Sequence, residues 1–247
     1  MKITKEFAEI LGMFAADGCI QHLHYVCMWG NIYEDQEYYD EIVCKLFSQV
    51  FNKKVVAHEK KSNSVYGFYI CDKEIIKIFK ELGFSNNKTY NVKVPEEILN
   101  SNDEEIIAAF IRGFTDCDGC LTFMKRKEKG YSEFKRKFNT YPRIFINIVS
   151  KNMINDLSYL LKKLKIKHSV HTRKTKKLTE KNQYVITIRG EKRIEKWKDK
   201  IGFNNYSKLT KYLIWKRFGF CPTKINLNQR KLILKNELNP HSFYNSN

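Results

Sequence analysis

Arginine is absent from the first 105 of 247 residues and recurs through the remainder. No apolar run approaches the length needed to cross a bilayer, and the opening stretch MKITKEFAEI has no hydrophobic segment of a secretory leader. These absences predict a soluble intracellular protein, in cytoplasm, nucleoid or organelle matrix, with no membrane attachment and no secretion. The seven cysteines, an odd number scattered through apolar segments, read as reduced thiols in a reducing compartment. Cys117 and Cys120 have C-x-x-C spacing, but no second pair or suitably spaced histidines accompany them, so zinc is not expected. With 43% hydrophobic and 14% aromatic residues the chain can bury a core, which excludes a disordered polycation.

Charge is present in excess and divided unevenly. The net charge is +18, yet residues 1–105 carry 12 Lys and 17 acids, net −5, whereas residues 106–247 carry 33 Lys and Arg against 10 acids, net +23. A polyanionic partner accounts for such an excess, because each phosphate neutralised releases counterions. Lysine richness also follows from an AT-rich genome or from solubility, so charge alone names no reaction.

The chain repeats itself. At an offset of 101, Ala8 meets Ala109, Gly12 meets Gly113, Ala16 meets Cys117, Asp17 meets Asp118 and Gly18 meets Gly119. Downstream, YYDEIVCKLFSQVFNKKV corresponds to NMINDLSYLLKKLKIKHSV, and ICDKEIIKIFKELGF to IRGEKRIEKWKDKIGF. Each half reads as helix, strand pair, helix, strand pair, helix. In RIFINIVS, Ile144, Ile146 and Ile148 alternate with Arg143, Phe145 and Asn147, predicting a strand with one buried face. Met153, Leu157, Leu160, Leu161 and Leu164 fall at helical spacing. The class is therefore α+β, with helices on one side of antiparallel sheets. The expected organisation is a first half at 1–85, an extended linker at 86–102, a second half at 103–220 and a basic tail at 221–247, with a further helix over INLNQRKLILKNEL. Ser101 and Glu104 look like a capping box opening the second repeat.

Ala8, Gly12 and Ala16 lie four residues apart, as do Ala109, Gly113 and Cys117, giving each first helix a stripe of small side chains. Two such stripes permit close approach of the helix backbones. Asp17 and Asp118 follow directly, so the pattern predicts two carboxylates side by side at the helix C-termini. The negative helix ends disfavour carboxylates unless a cation is present, and Mg²⁺ takes oxygen ligands while keeping waters. A single Asp-Gly usually opens a turn. Two copies behind matching stripes point to a shared site.

ILGMFAADG (Ile10 to Gly18) and IRGFTDCDG (Ile111 to Gly119) resemble the two motifs of the LAGLIDADG homing endonucleases, and both repeats fit that family's αββαββα unit. The resemblance implies a monomer whose two sheets form a saddle over a long asymmetric or pseudo-palindromic double-stranded DNA site. It implies double-strand cleavage with short 3′ overhangs, in the service of intron or intein mobility. Asp17 and Asp118 are the implied catalytic metal ligands, helped by the carbonyls of Ala16 and Cys117. Two or three Mg²⁺ are implied, with Mn²⁺ substituting and Ca²⁺ binding without cleavage. Lys151, in IVSKN, matches a basic residue that polarises water or phosphate; the corresponding MWGNIYED has none. The sixth motif position is acidic in Asp116 but Ala15 in the first copy.

Strands facing DNA carry long polar side chains toward base edges and basic turns toward phosphates. The candidates are Gln21, His22, His24, Lys60, Lys61 and Tyr66 in the first half. In the second they are Lys125, Lys127, Arg136, Arg143, Asn147, Arg173, Lys174, Lys176 and Arg189. The alternatives to an endonuclease are an RNA-binding intron maturase on the same scaffold and a DNA-binding regulator. Retention of both acids argues against the regulator.

Overall fold

The computed structural model describes residues 2–21, 24–60, 64–85, 88–174 and 182–244. The first unit runs α1 (Lys5–Ala16), β1 (Cys19–Gln21), β2 (Tyr25–Asn31), α2 (Ile32–Tyr38), α3 (Cys44–Phe51), β3 (His58–Lys60), β4 (Val65–Ile70) and α4 (Lys73–Glu81). Two short helices follow, α5 (Lys88–Asn91) and α6 (Glu96–Leu99). The second unit runs α7 (Glu104–Asp118), β5 (Gly119–Met124), α8 (Glu133–Lys137), β6 (Tyr141–Ile148), α9 (Lys151–Lys163), β7 (Ser169–Arg173), β8 (Gln183–Arg189) and α10 (Glu191–Lys200). Beyond it lie α11 (Tyr206–Phe218), α12 (Leu227–Leu234) and a 3₁₀ turn over Pro240–Tyr244.

Each unit forms one four-stranded antiparallel sheet, with orders β1-β2-β4-β3 and β5-β6-β8-β7. The identical order is what a duplication leaves behind. Registers correspond too, Cys19 opposite Cys27 and Cys120 opposite Phe145. The expected alternation holds in β6: Ile144, Ile146 and Ile148 are buried with α9, whereas Asn147 is exposed on the other face. Burying each such isoleucine stabilises the fold by about 1.5–3 kcal/mol. A single apolar core runs through both units.

Several local details depart from the sequence expectations. Helix α7 is capped by Asp103, whose side chain accepts from the Glu105 and Ile106 amides, two residues past the expected start. Ser101 instead accepts from the Asp103 amide, which fixes the capping residue rather than the helix. The first-half helix begins at Ile32 and not Tyr38, because the Asn31 side chain takes the Tyr33 and Glu34 amides; it joins α3 through a π-turn at Tyr39–Val43. The linker is not simply extended. Val92, Val94 and Ile98 are buried, and the Val94 amide donates to Asp156 at 3.1 Å.

Helix α11 lies outside the sequence expectations. With α12 it reaches back to α2 of the first unit, where Arg230 pairs with Glu34 and Lys231 with Glu37. Ser207 and the Leu227 amide also donate to Glu34, each at 3.0 Å, and Asn205 donates to Asp35 at 2.9 Å. Part of the first half's acidity is thus used to seat the C-terminal helices.

Candidate nucleic-acid interface and paired acidic helix ends

Helices α1 and α7 cross backbone to backbone. A Cβ placed on Gly12 would lie 2.0 Å from the Phe110 carbonyl oxygen, and one on Gly113 would lie 2.2 Å from that of Glu9. Glu9 and Phe110 are themselves equivalent positions of the two repeats, so the contact is reciprocal about a pseudo-two-fold axis. The helices are parallel. Lys5 and Glu105 approach to 4.0 Å at their N-terminal ends, and at the other end the Cys117 thiol lies in the field of both Asp17 and Asp118. Burial, reinforced by those carboxylates, pushes that thiol well above the ordinary thiol range. Asp17 and Asp118 each stand five residues past the crossing glycine, about 7.5 Å along the axis. The two helix ends bearing them lie side by side.

Around this pair the flanking groups have structural tasks. Glu9, buried at the seam, accepts from Arg112 Nε at 3.0 Å and from the Asn204 side chain at 2.6 Å. Asp116 is buried, and its Oδ2 accepts the Asn204 and Asn205 amides at 2.7 and 3.0 Å. Burial raises its carboxyl to about 6, opposed by Lys208 and these two amides. Its carbonyl accepts from Lys208 Nζ at 2.6 Å. Asp116 therefore anchors the start of α11, and the difference from Ala15, which packs in the core, follows from that anchorage.

Among the described residues no group of three or more His, Cys, Asp or Glu side chains is placed to hold a metal ion. Two carboxylates and helix-end carbonyls are nonetheless the hard oxygen donors that Mg²⁺ prefers, and that ion ordinarily keeps several waters and takes phosphate oxygens for its remaining positions. Lys151 is exposed at the first turn of α9, capped by Ser150. It follows β6, whose Ile146 pairs with Gly119 next to Asp118, so it stands at the same end of the sheet as that acid. The equivalent first turn of α2 offers Ile32 and Tyr33, and no base.

Both sheets leave one face uncovered by helices. In the second, Arg143, Asn147, Arg173 and Arg189 share that face, as the registers require. Lys174 follows Arg173 and is exposed. Lys125, Lys127 and Arg136 are exposed but outside the strands, Lys125 over the Tyr244 ring and Arg136 on α8. In the first, Gln21 and Lys60 lie on the open face, and His24 sits in the preceding turn. Tyr66 does not join them: it lies on the covered face, edge-on to Tyr39, and donates to Asp40 at 2.8 Å. His22, Lys61 and Lys176 fall outside the described residues.

Sequence reasoning missed Tyr25, Trp29, His58 and Tyr69, which form a strip of edge-to-face rings across the first open face. Their strands are apolar on both faces, so alternation did not reveal which face was open. It also missed a groove of about 340 Å³ where Arg126, Lys135, Arg189, Lys192 and Arg193 gather with the single acid Glu191. Arg126 lies there between the rings of Tyr131 and Tyr141, 4.6 and 3.9 Å from their centres.

The family described as LAGLIDADG-like domain matches residues 105–202. Over 197 residues, 78% of this chain, it is 29% identical to a protein of the A-type ATP synthase of Pyrococcus abyssi. Over 209 residues, 84% of the chain, it is 26% identical to the glutamine–fructose-6-phosphate aminotransferase of Methanocaldococcus jannaschii. A 121-residue stretch is 30% identical to that organism's probable translation initiation factor IF-2. The chain spans only 9% to 17% of the length of these curated relatives. Among solved structures, mesophilic variants of the homing endonuclease I-DmoI superpose with a TM-score of 0.53 at 16% identity, covering 80% of this chain and 95% of theirs. I-DmoI in complex with DNA and Mn gives 0.52 at 16% identity, covering 80% and 96%. I-DmoI with DNA and Ca gives 0.51, again at 16% identity, covering 77% and 86%. The chain thus has two units of one topology, shares the fold of I-DmoI, and matches the LAGLIDADG-like domain over residues 105–202 of its second half.

Proposed function

We propose that the chain is a homing endonuclease: a monomeric, divalent-metal-dependent enzyme that cuts both strands of one long double-stranded DNA site. The observation that carries this is the parallel glycine crossing of α1 and α7, with an aspartate at each of the adjoining helix ends. Asp17 and Asp118 would hold the ions, with the carbonyls of Ala16 and Cys117. Bound Mg²⁺ or Mn²⁺ lowers the pKa of water and stabilises charge on the phosphate. Lys151 orients water or phosphate on the second-half side; the first half lacks that base. The open sheet faces and basic loops hold the duplex in a saddle, and their cations, not the active-site acids, supply most of the affinity.

Intron or intein mobility has separate support. A component of an ATP synthase, an initiation factor and an aminotransferase share no task, yet each carries a limited segment similar to this chain. Insertion of a mobile segment into unrelated genes accounts for that distribution. The test is cleavage of a plasmid bearing the uninterrupted host insertion site. Linearisation is expected with Mg²⁺, binding without cleavage with Ca²⁺, and no linear product for Asp17→Asn or Asp118→Asn. Wild-type protein that binds this DNA but never cuts it, while stimulating splicing equally in both variants, would establish a maturase instead.

A further inference from the structure

We infer that the two halves of the target site differ in base composition, the half against the first sheet being read through A·T pairs and the half against the second through guanines. This rests on the DNA-binding reading above and concerns only which bases each sheet selects. The major groove admits a β-ribbon and offers four chemically distinct edges. Guanine is read most often by arginine or lysine across O6 and N7, adenine by Asn or Gln, cytosine by an acid accepting from N4, and thymine by apolar contact with its methyl group.

Apart from Lys60, which lies over the Trp29 ring, the described open-face positions of the first sheet lack the side chains that read G·C pairs most directly. Its half contains no arginine before residue 106, and no Asp or Glu occupies a described open-face position of β1 to β4. Instead Tyr25, Tyr69, His58 and Trp29 run as a strip, with ring centres 5.8, 5.6 and 5.3 Å apart in turn. Tyr69 is 55% exposed, and the Cys27 thiol is buried beneath the strip. Lys60 lies 5.5 Å over Trp29 and Gln21 accepts from the Tyr25 hydroxyl, which ties the polar members to the aromatic ones. Such a surface suits thymine methyls, with Gln21 matching adenine.

The second open face carries arginines instead, beside Asn147. Arg143 and Arg189 sit directly opposite one another on β6 and β8, and neither has an acidic partner among the described residues. Like charges so placed repel across the strands. Arg143 Nε is also buried without a hydrogen-bond partner. Both features call for an acceptor-rich ligand over this pair, and Arg173 continues the same face on β7. Guanine edges, with two acceptors each, meet that need.

The experiment selects bound duplexes from a randomised double-stranded DNA library with Ca²⁺ present, so the readout is binding and not cleavage. The Trp29→Ala and Tyr69→Ala variants should relax one block of positions, and that block should be dominated by A·T pairs in the wild-type selection. Arg143→Ala and Arg189→Ala should relax a different block, holding the guanines, with at least about fivefold lower discrimination at each guanine contacted. A second arm uses only wild-type protein: replacing thymine by deoxyuridine in the first block should weaken binding about fourfold per contacted methyl. Guanines in the block relaxed by the aromatic variants, an even distribution, or indifference to deoxyuridine would overturn the inference. Enrichment of no sequence would overturn the inference and the nuclease assignment together, whereas the expected split in a protein that never cuts would remove only the nuclease assignment.

Discussion

The two halves share a backbone plan and use charge in opposite directions. Glu34, Asp35 and Glu37 of the first half turn toward α11 and α12, where they hold Arg230, Asn205 and Lys231. Arg143, Arg173 and Arg189 of the second half stay on the open sheet face. A duplicated scaffold can therefore diverge in electrostatics while the reciprocal glycine crossing remains alike on both sides. Acidity in one unit serves assembly, and basicity in the other remains available to a polyanion.

The largest expected effect tests the part that is equal. Gly12→Ala and Gly113→Ala each force a methyl into a backbone carbonyl, so each should destabilise by about 3 kcal/mol or more in urea unfolding, with the two costs similar. Unequal costs would mean that the crossing is not two-fold. Next comes the assembly contact. Arg230 is 1% exposed, and Arg230→Ala leaves Glu34 part-buried without its cation, expected to cost about 3 kcal/mol by the same measurement. A loss below about 1 kcal/mol would show that the C-terminal helices are held by apolar packing alone. A smaller effect separates the open faces. Lys127→Ala and Lys174→Ala, exposed outside the strands, should each lower the slope of log binding constant against log salt by about 0.9 without altering sequence preference. The smallest sits away from both roles: Lys77 and Glu81 form an exposed ion pair on α4, and Lys77→Ala should shift unfolding by less than about 0.5 kcal/mol.

The repeat, the small-residue stripe and the two acids are legible in the sequence because each depends on spacing along one helix. The alternation in β6 is legible because its two faces differ in polarity. Helix α11 is not. Its buried positions, Lys208, Thr210, Tyr212, Ile214 and Trp215, do not form one stripe, since it is covered by β5, α2 and α12 together. Sequence alone puts Tyr66 on the wrong face because VYGFYI is apolar on both sides, and only pairing with β2 puts Phe68 in the core and Tyr69 in the open. The role of Asp116 is hidden for a similar reason: its partners, Asn204 and Asn205, are contributed by a loop 88 and 89 residues away.

The clamp between α2 and α12 also sets an order of events during synthesis. Glu34 and Arg230 are 196 residues apart in the chain. At ribosomal rates of about 5–20 residues per second, the acidic helix emerges roughly 10–40 s before the arginine that completes it. The first unit can reach its topology early, but its final seat is made by residues that follow the second sheet in the chain, so a chain cut short directly after that sheet would release both sheets without their clasp.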